Sequence, residues 1–72
     1  MGVKILCRVY DEVLDKYGFK VLDEESNKIF PESEIMVRER VKKGIIKNAK
    51  VLIKKGKEQV TDLEGNDFSF ED

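Results

Sequence analysis

Residues 31–43 carry the start and stop signals of an α-helix more completely than any other segment of the chain. Pro31 suits a first helical turn, where its missing N–H costs nothing. Gly44 suits the position just after the last turn, where the backbone is left-handed. Acidic residues stand near the start and basic residues near the end, as the helix dipole favours: Glu32, Glu34, Arg40, Lys42 and Lys43. The sequence therefore predicts a helix from Pro31 to Lys43.

This helix has an apolar stripe that needs a partner surface. Val37, Val41 and Ile45 recur at a spacing of four, and Ile35 with Met36 widen the stripe near its start. One short helix cannot bury such a stripe by itself, so the stripe must pack against strands from the rest of the chain.

Two segments before the helix have the alternation of β-strands. From Val3 to Tyr10, every second residue is apolar or cysteine, which predicts a strand with one buried face. Residues 17–22 place Tyr17, Phe19 and Val21 on one face, and Gly18 between them marks a bulge or a close backbone approach. Residues 28–30 are predicted to be a short strand that pairs with residues 17–22 and completes a hairpin.

Two further strands are predicted after the helix, at 50–55 and 58–62, with Gly56 as the turn between them. Phe68 and Phe70 then add a short last strand or cap the core. The prediction is one domain over residues 1–72, of the α+β class and the order β-β-α-β-β. Its helix packs on one face of an antiparallel sheet.

Composition excludes several classes of function. The chain has 72 residues, no His and one Cys. Catalytic triads, His-ligated metals, disulfide frameworks and Cys-rich zinc sites are therefore absent. No apolar run is long enough for a membrane span, and the first residues lack the apolar region of a cleavable signal peptide. We expect a cytoplasmic protein that is not an enzyme and holds no cofactor or metal. Because so short a chain buries a small core, a homodimer is an open alternative.

Charge is distributed in three blocks along the chain. Residues 1–37 carry five basic and eight acidic side chains, residues 38–57 carry nine basic and one acidic, and residues 58–72 carry six acidic and no basic ones. The middle block, here called the basic block, is a candidate binding patch for phosphates or for an acidic protein surface. Its candidate residues are Arg38, Arg40, Lys42, Lys43, Lys47 and Lys50. The alternative is a solvated face that the acidic tail partly neutralises.

Other motifs carry weaker signals. Asp62, Glu64 and Asn66 begin like a calcium loop, but position 67 is Asp where such a loop needs Gly. A solvated acidic turn is therefore the preferred interpretation. Cys7 follows the alternation of Val3 and Ile5, which predicts a small buried apolar residue with Arg8 on the opposite face. The glycines form no phosphate-binding motif.

The chain also resembles a family of small uncharacterised proteins found in Firmicutes genomes and in their phages and mobile elements. The resemblance covers about residues 17–70. It rests on Gly44-Ile45-Ile46-Lys47-Asn48-Ala49 after the helix, on the Gly56-Lys57 turn, and on the ending Gly65-Asn66-Asp67-Phe68-Ser69. It implies the β-β-α-β-β order and an origin in a mobile element, and it implies no activity.

These observations favour a protein–protein interaction module, acting as a phage or mobile-element accessory protein. The surfaces expected to take part are the unpaired edges of the sheet and the basic block opposite the acidic tail. The alternative function is nucleic-acid binding through the basic block. Two features argue against it: the isoelectric point is about 5.5, and no aromatic residue interleaves with the basic ones.

Overall fold

A computed structural model describes residues 2–71. Three strands, β1 (Val3–Asp11), β2 (Lys16–Asp23) and β3 (Lys28–Ser33), form one antiparallel sheet in that order. The helix α1 (Glu34–Lys42) follows, and then β4 (Ala49–Lys54) and β5 (Lys57–Asp62) pair as a second antiparallel sheet. The α+β class and the single helix between two groups of antiparallel strands are confirmed. The short strand expected at residues 28–30 extends further and forms β3.

The predicted start of the helix at Pro31 is wrong by three residues. Pro31 instead lies in β3, where it pairs with Lys20 of β2. An edge strand can hold a proline because it tolerates the missing N–H. The helix begins after Ser33, whose hydroxyl accepts a hydrogen bond from the Met36 N–H at 3.3 Å. The end is as predicted: Lys43 caps the helix, and Gly44 follows with a φ of +80°.

A register shift in β1 decides which of its side chains face the core. Ile5 pairs with Val21 and Cys7 pairs with Lys20, so Leu6 between them has no partner in β2. The extra residue moves Cys7 to the face opposite Ile5. Arg8 consequently lies on the core side, where its guanidinium carbon stands 5.2 Å from the centre of the Phe19 ring.

The core lies between the first sheet, α1 and the second sheet. Among the described residues, its buried apolar members are Ile5, Phe19, Val21, Val37, Ile46, Ala49 and Val60. Phe68 of the C-terminal segment packs against this cluster, with its ring centre 6.1 Å from that of Phe19. Phe68 therefore caps the core, which is one of the two outcomes expected from the sequence.

The outer edge of β1 is closed by three different segments of the chain. Near its start, Val3 forms a bridge with Ile46. In the middle, the Ile5 N–H donates to Asn48 Oδ1 at 3.1 Å, and Asn48 Nδ2 donates to the Ile5 carbonyl at 2.9 Å. Residues 69–71 close the rest, since the Arg8 N–H donates to the Ser69 carbonyl at 2.8 Å and the Glu71 N–H donates to the Arg8 carbonyl at 3.0 Å. β1 is therefore an interior strand.

The helix buries a narrower stripe than the sequence indicates. Val37 is fully buried and Val41 is half-buried, whereas Ile35 and Met36 are exposed at the first turn. Across the described part of the chain, no helix has both the length and the apolar character needed to cross a lipid bilayer.

Candidate interaction site

The helical part of the basic block is bound to carboxylates within the molecule. Lys42 Nζ lies 2.5 Å from one oxygen of Glu58, and Arg38 Nε lies 4.0 Å from the other. The hydrogen bond from Lys42, joined by the positive charges of Lys42 and Arg38, holds the pKa of Glu58 below its ordinary value of 4.5. On the other side of the helix, Arg40 forms an ion pair with Glu32 of β3.

The other three candidate residues of the basic block form no ion pairs of this kind. Within residues 2–71, no carboxylate lies within ion-pair distance of Lys43, Lys47 or Lys50. Lys43 caps the helix, Lys47 lies in the segment before β4, and Lys50 lies in β4 itself. The structure therefore divides the six candidate residues between an ion-paired helical group and three separate lysines.

The acidic tail contributes to this neutralisation and folds on itself. Its predicted members are Asp62, Glu64, Asp67, Glu71 and Asp72, of which Asp67 lies 3.9 Å from Lys54 of β4. Glu58, which pairs with the helix, lies in β5. Asp62 Oδ1 accepts hydrogen bonds from the N–H groups of Glu64 and Asn66, each at 2.9 Å. The stretch that begins like a calcium loop is thus a turn whose first carboxylate binds the backbone. The described residues contain no cluster of three acidic or cysteine side chains able to hold a metal ion.

Cys7 does not take the position expected from the alternation. Because of the register shift at Leu6, it lies on the sheet face away from the core and is half-buried. Arg8 lies on the core side, where the alternation placed Cys7, so the predicted faces of these two residues are reversed. The Arg8 guanidinium also stands 5.8 Å from the Phe70 ring centre.

The sheet face away from the core is open, and it carries a groove that the sequence did not indicate. Val9, Gly18 and Ser33 are paired in one row across the three strands. Gly18 is the buried member of this row. The groove has a volume of about 660 Å³, and residues of apolar character line it together with three acidic ones. The apolar residues are Val9, Leu14, Tyr17, Pro31 and Ile35, the acidic ones are Asp11, Glu32 and Glu34, and Lys16 is the one basic residue in the lining.

Gly18 has a structural reason for its lack of a side chain. A Cβ atom at this position would stand 2.5 Å from the carbonyl oxygen of Glu32, which is closer than van der Waals contact allows. The close backbone approach expected at Gly18 is therefore confirmed.

The turn between β4 and β5 forms a second exposed feature, here called the basic tip (residues 53–57). Lys54 pairs with Lys57, and Lys55 and Gly56 between them have φ angles of +52° and +77°. This is the two-residue turn that matches strand twist, so the tip is a tight hairpin end. Ile53 at its base is 71% exposed, and the tip carries three lysines and no acidic residue.

No protein-family model, curated protein or solved structure matches this chain. Its function is therefore argued from its own surfaces.

Proposed function

We propose that this chain is a protein–protein interaction module that acts by binding, without chemistry of its own. As an accessory protein of a phage or mobile element, it would dock on one partner surface through the groove of the open sheet face. The resemblance described above supports that biological setting, and the geometry of the groove supports the mode of action.

The observation that carries the proposal is the surplus of exposed apolar side chains. Among residues 2–71, seven apolar residues are buried, whereas twelve large apolar residues are exposed. Contiguous exposed apolar surface that is rimmed by polar residues is typical of a protein-binding site. Leu14 and Ile35 both line the groove, and each is 64% exposed.

The sheet edges are less suited to binding than the sequence suggested. The outer edge of β1 is closed by Ile46, Asn48 and residues 69–71. The outer edge of β3 is unpaired within the described residues, but Pro31 lies in it and has no N–H to donate. A proline on an edge strand discourages the addition of another strand. A partner that recognises side chains in the groove fits this surface better than one that extends the sheet.

The test compares two substitutions at exposed apolar positions. Ile35→Lys places a charge in the groove, and Val13→Lys places the same charge on a side chain that is 93% exposed and does not line the groove. Purified tagged chain would be incubated with extract of cells that express its neighbouring genes. We expect one stoichiometric partner to be retained by the wild type and by Val13→Lys, and lost by Ile35→Lys. Equal retention by all three would contradict the proposal.

Nucleic-acid binding is the second candidate function, and the three unpaired lysines favour it. Lys43, Lys47 and Lys50 have no carboxylate partner in residues 2–71, so they are available to phosphates. Binding of a labelled duplex or single strand should then weaken steeply with salt, and Lys43→Glu with Lys47→Glu should abolish it. Absence of binding at about 50 mM salt, where phosphate contacts are strong, would eliminate this alternative.

A further inference from the structure

We propose that the partner seated in the groove is a second copy of this chain, which inserts its basic tip. This inference rests on the proposed function and names its partner. The two surfaces concerned are the groove on the open face of the first sheet and residues 53–57 of the second sheet.

The charges of the two surfaces are complementary. The segments that border the groove, 11–16 and 31–35, carry five acidic side chains, of which Glu32 is already paired with Arg40, and one basic side chain, Lys16, which lines the groove. A net negative charge remains at this rim. The segment 50–57 carries four lysines and no acidic residue. Lys55 and Lys57 have no carboxylate within ion-pair distance among residues 2–71. A tip of this charge is attracted to the acidic rim and is repelled by another tip.

The apolar parts of the two surfaces also match. Ile53 is a large side chain, 71% exposed, with lysines following it in the chain. The groove offers Val9, Leu14 and Ile35 as apolar contacts for such a side chain. A volume of about 660 Å³ is ample for one aliphatic side chain and the stems of its lysine neighbours. Because the two-residue turn holds the tip in one conformation, little ordering is needed on binding.

The positions of the groove and the tip favour a closed dimer over an open chain. Glu34 lines the groove and also lines a cleft on the core side, together with Gly56 and Lys57 of the tip. Both surfaces therefore lie at the same end of the molecule, around the start of α1. A two-fold axis at this end can place each tip in the groove of the other copy, which closes the assembly at two.

The experiment measures mass in solution for the full chain and for matched variants. Sedimentation equilibrium or light scattering would follow the wild type up to about 1 mM, where an interface with a Kd of that size is substantially occupied. Ile35→Lys blocks the groove and Ile53→Glu blocks the tip. The controls are Ile29→Lys and Leu63→Glu, because both residues are exposed and lie outside the groove, its bordering segments and the tip. Thermal unfolding of each variant verifies that it is folded.

The wild type and both controls should reach twice the monomer mass of 8.4 kDa and no more. Each blocked variant should remain a monomer. A 1:1 mixture of Ile35→Lys and Ile53→Glu should form dimers again, because the intact tip of the first fits the intact groove of the second. In that mixture the second contact joins an introduced lysine to an introduced glutamate.

Three results would overturn the inference: a wild type that stays monomeric at about 1 mM, a dimer that neither blocked variant weakens, or a mixture that stays monomeric. If the wild type is monomeric while Ile35→Lys still loses a partner of another kind, the proposed function stands and the self-association falls. If neither a second copy nor another partner depends on Ile35, both fall.

Discussion

The two faces of the three-stranded sheet differ in what covers them. The face that carries Ile5, Phe19 and Val21 is packed by α1, the second sheet and Phe68. The face that carries Val9 and Gly18 lies away from this core; it bears the groove at one end, and Lys20 on it forms an ion pair with Glu71. A chain of 72 residues thus divides its apolar side chains between a face that packs into the core and a face that, under the proposed function, binds the partner.

The largest effect should come from removing a side chain on the covered face. Phe19 is fully buried, and Phe19→Ala leaves a cavity that should lower the free energy of unfolding by about 3–5 kcal/mol. For a domain this small, that loss is a large part of the whole free energy of unfolding. The matched change on the open side is Ile29→Ala, whose side chain is 56% exposed. We expect Ile29→Ala to lower the free energy of unfolding by less than about 1 kcal/mol, measured by urea unfolding. Equal losses would remove the distinction between the faces.

The next largest effect concerns the closed edge of β1. Asn48→Ala leaves the N–H and the carbonyl of Ile5 without their partners, and unsatisfied buried groups are costly. We expect a loss of about 2 kcal/mol in the free energy of unfolding, with faster amide exchange at Ile5. Asn66→Ala is the control, because Asn66 is exposed and its observed hydrogen bonds are made by its backbone. A stable Asn48→Ala protein would show that the edge does not need this amide.

The smallest effect concerns the ion pairs that join α1 to β5. The folded-state pKa of Glu58 is lowered by Lys42 and Arg38, so its contribution to stability is complete above its ordinary value of 4.5. That contribution is lost as the pH falls through the lower folded-state value. The melting temperature of the wild type should exceed that of Glu58→Gln at neutral pH, and the difference should shrink below pH 4.5. Because the pair is exposed, salt should also reduce the difference. A difference independent of pH would contradict this assignment.

Local patterns predict the elements of this fold because each element follows from residues close in sequence. The alternation of apolar residues predicts β1, β2 and the pair β4 and β5, and Gly44 predicts the end of the helix. The helix start was misplaced because Pro31 suits both a first helical turn and an edge strand, and only pairing with Lys20 selects between them. The exposure of Ile35 follows from that shift, since the first turn then projects beyond the strands.

The candidate site was harder to predict than the fold. The groove depends on the register of three strands, which places Val9, Gly18 and Ser33 in one row although they are far apart in sequence. The shift at Leu6 exchanges the faces of Cys7 and Arg8, and no local pattern reports such an extra residue. The basic block was visible as composition, but composition does not show that Glu58 and Glu32 neutralise three of its members. Gly18 was the one signal near the groove, because an isolated glycine in a strand indicates a close backbone approach.

The central claim is that the groove binds the basic tip of a second copy, while the covered face of the sheet and the closed edge of β1 stabilise the fold. An NMR dilution series of the ¹⁵N-labelled wild type, from about 1 mM to about 10 µM, tests it most directly because it reports each amide separately. We predict that the amide signals of Leu14, Gly18 and Ile35 in the groove and of Ile53 and Gly56 in the tip shift together with one common Kd. The signals of Ile5 and Arg8 on the closed edge should stay in place. Unchanged spectra throughout, or shifts centred on Ile29 or on the basic helix, would contradict the account.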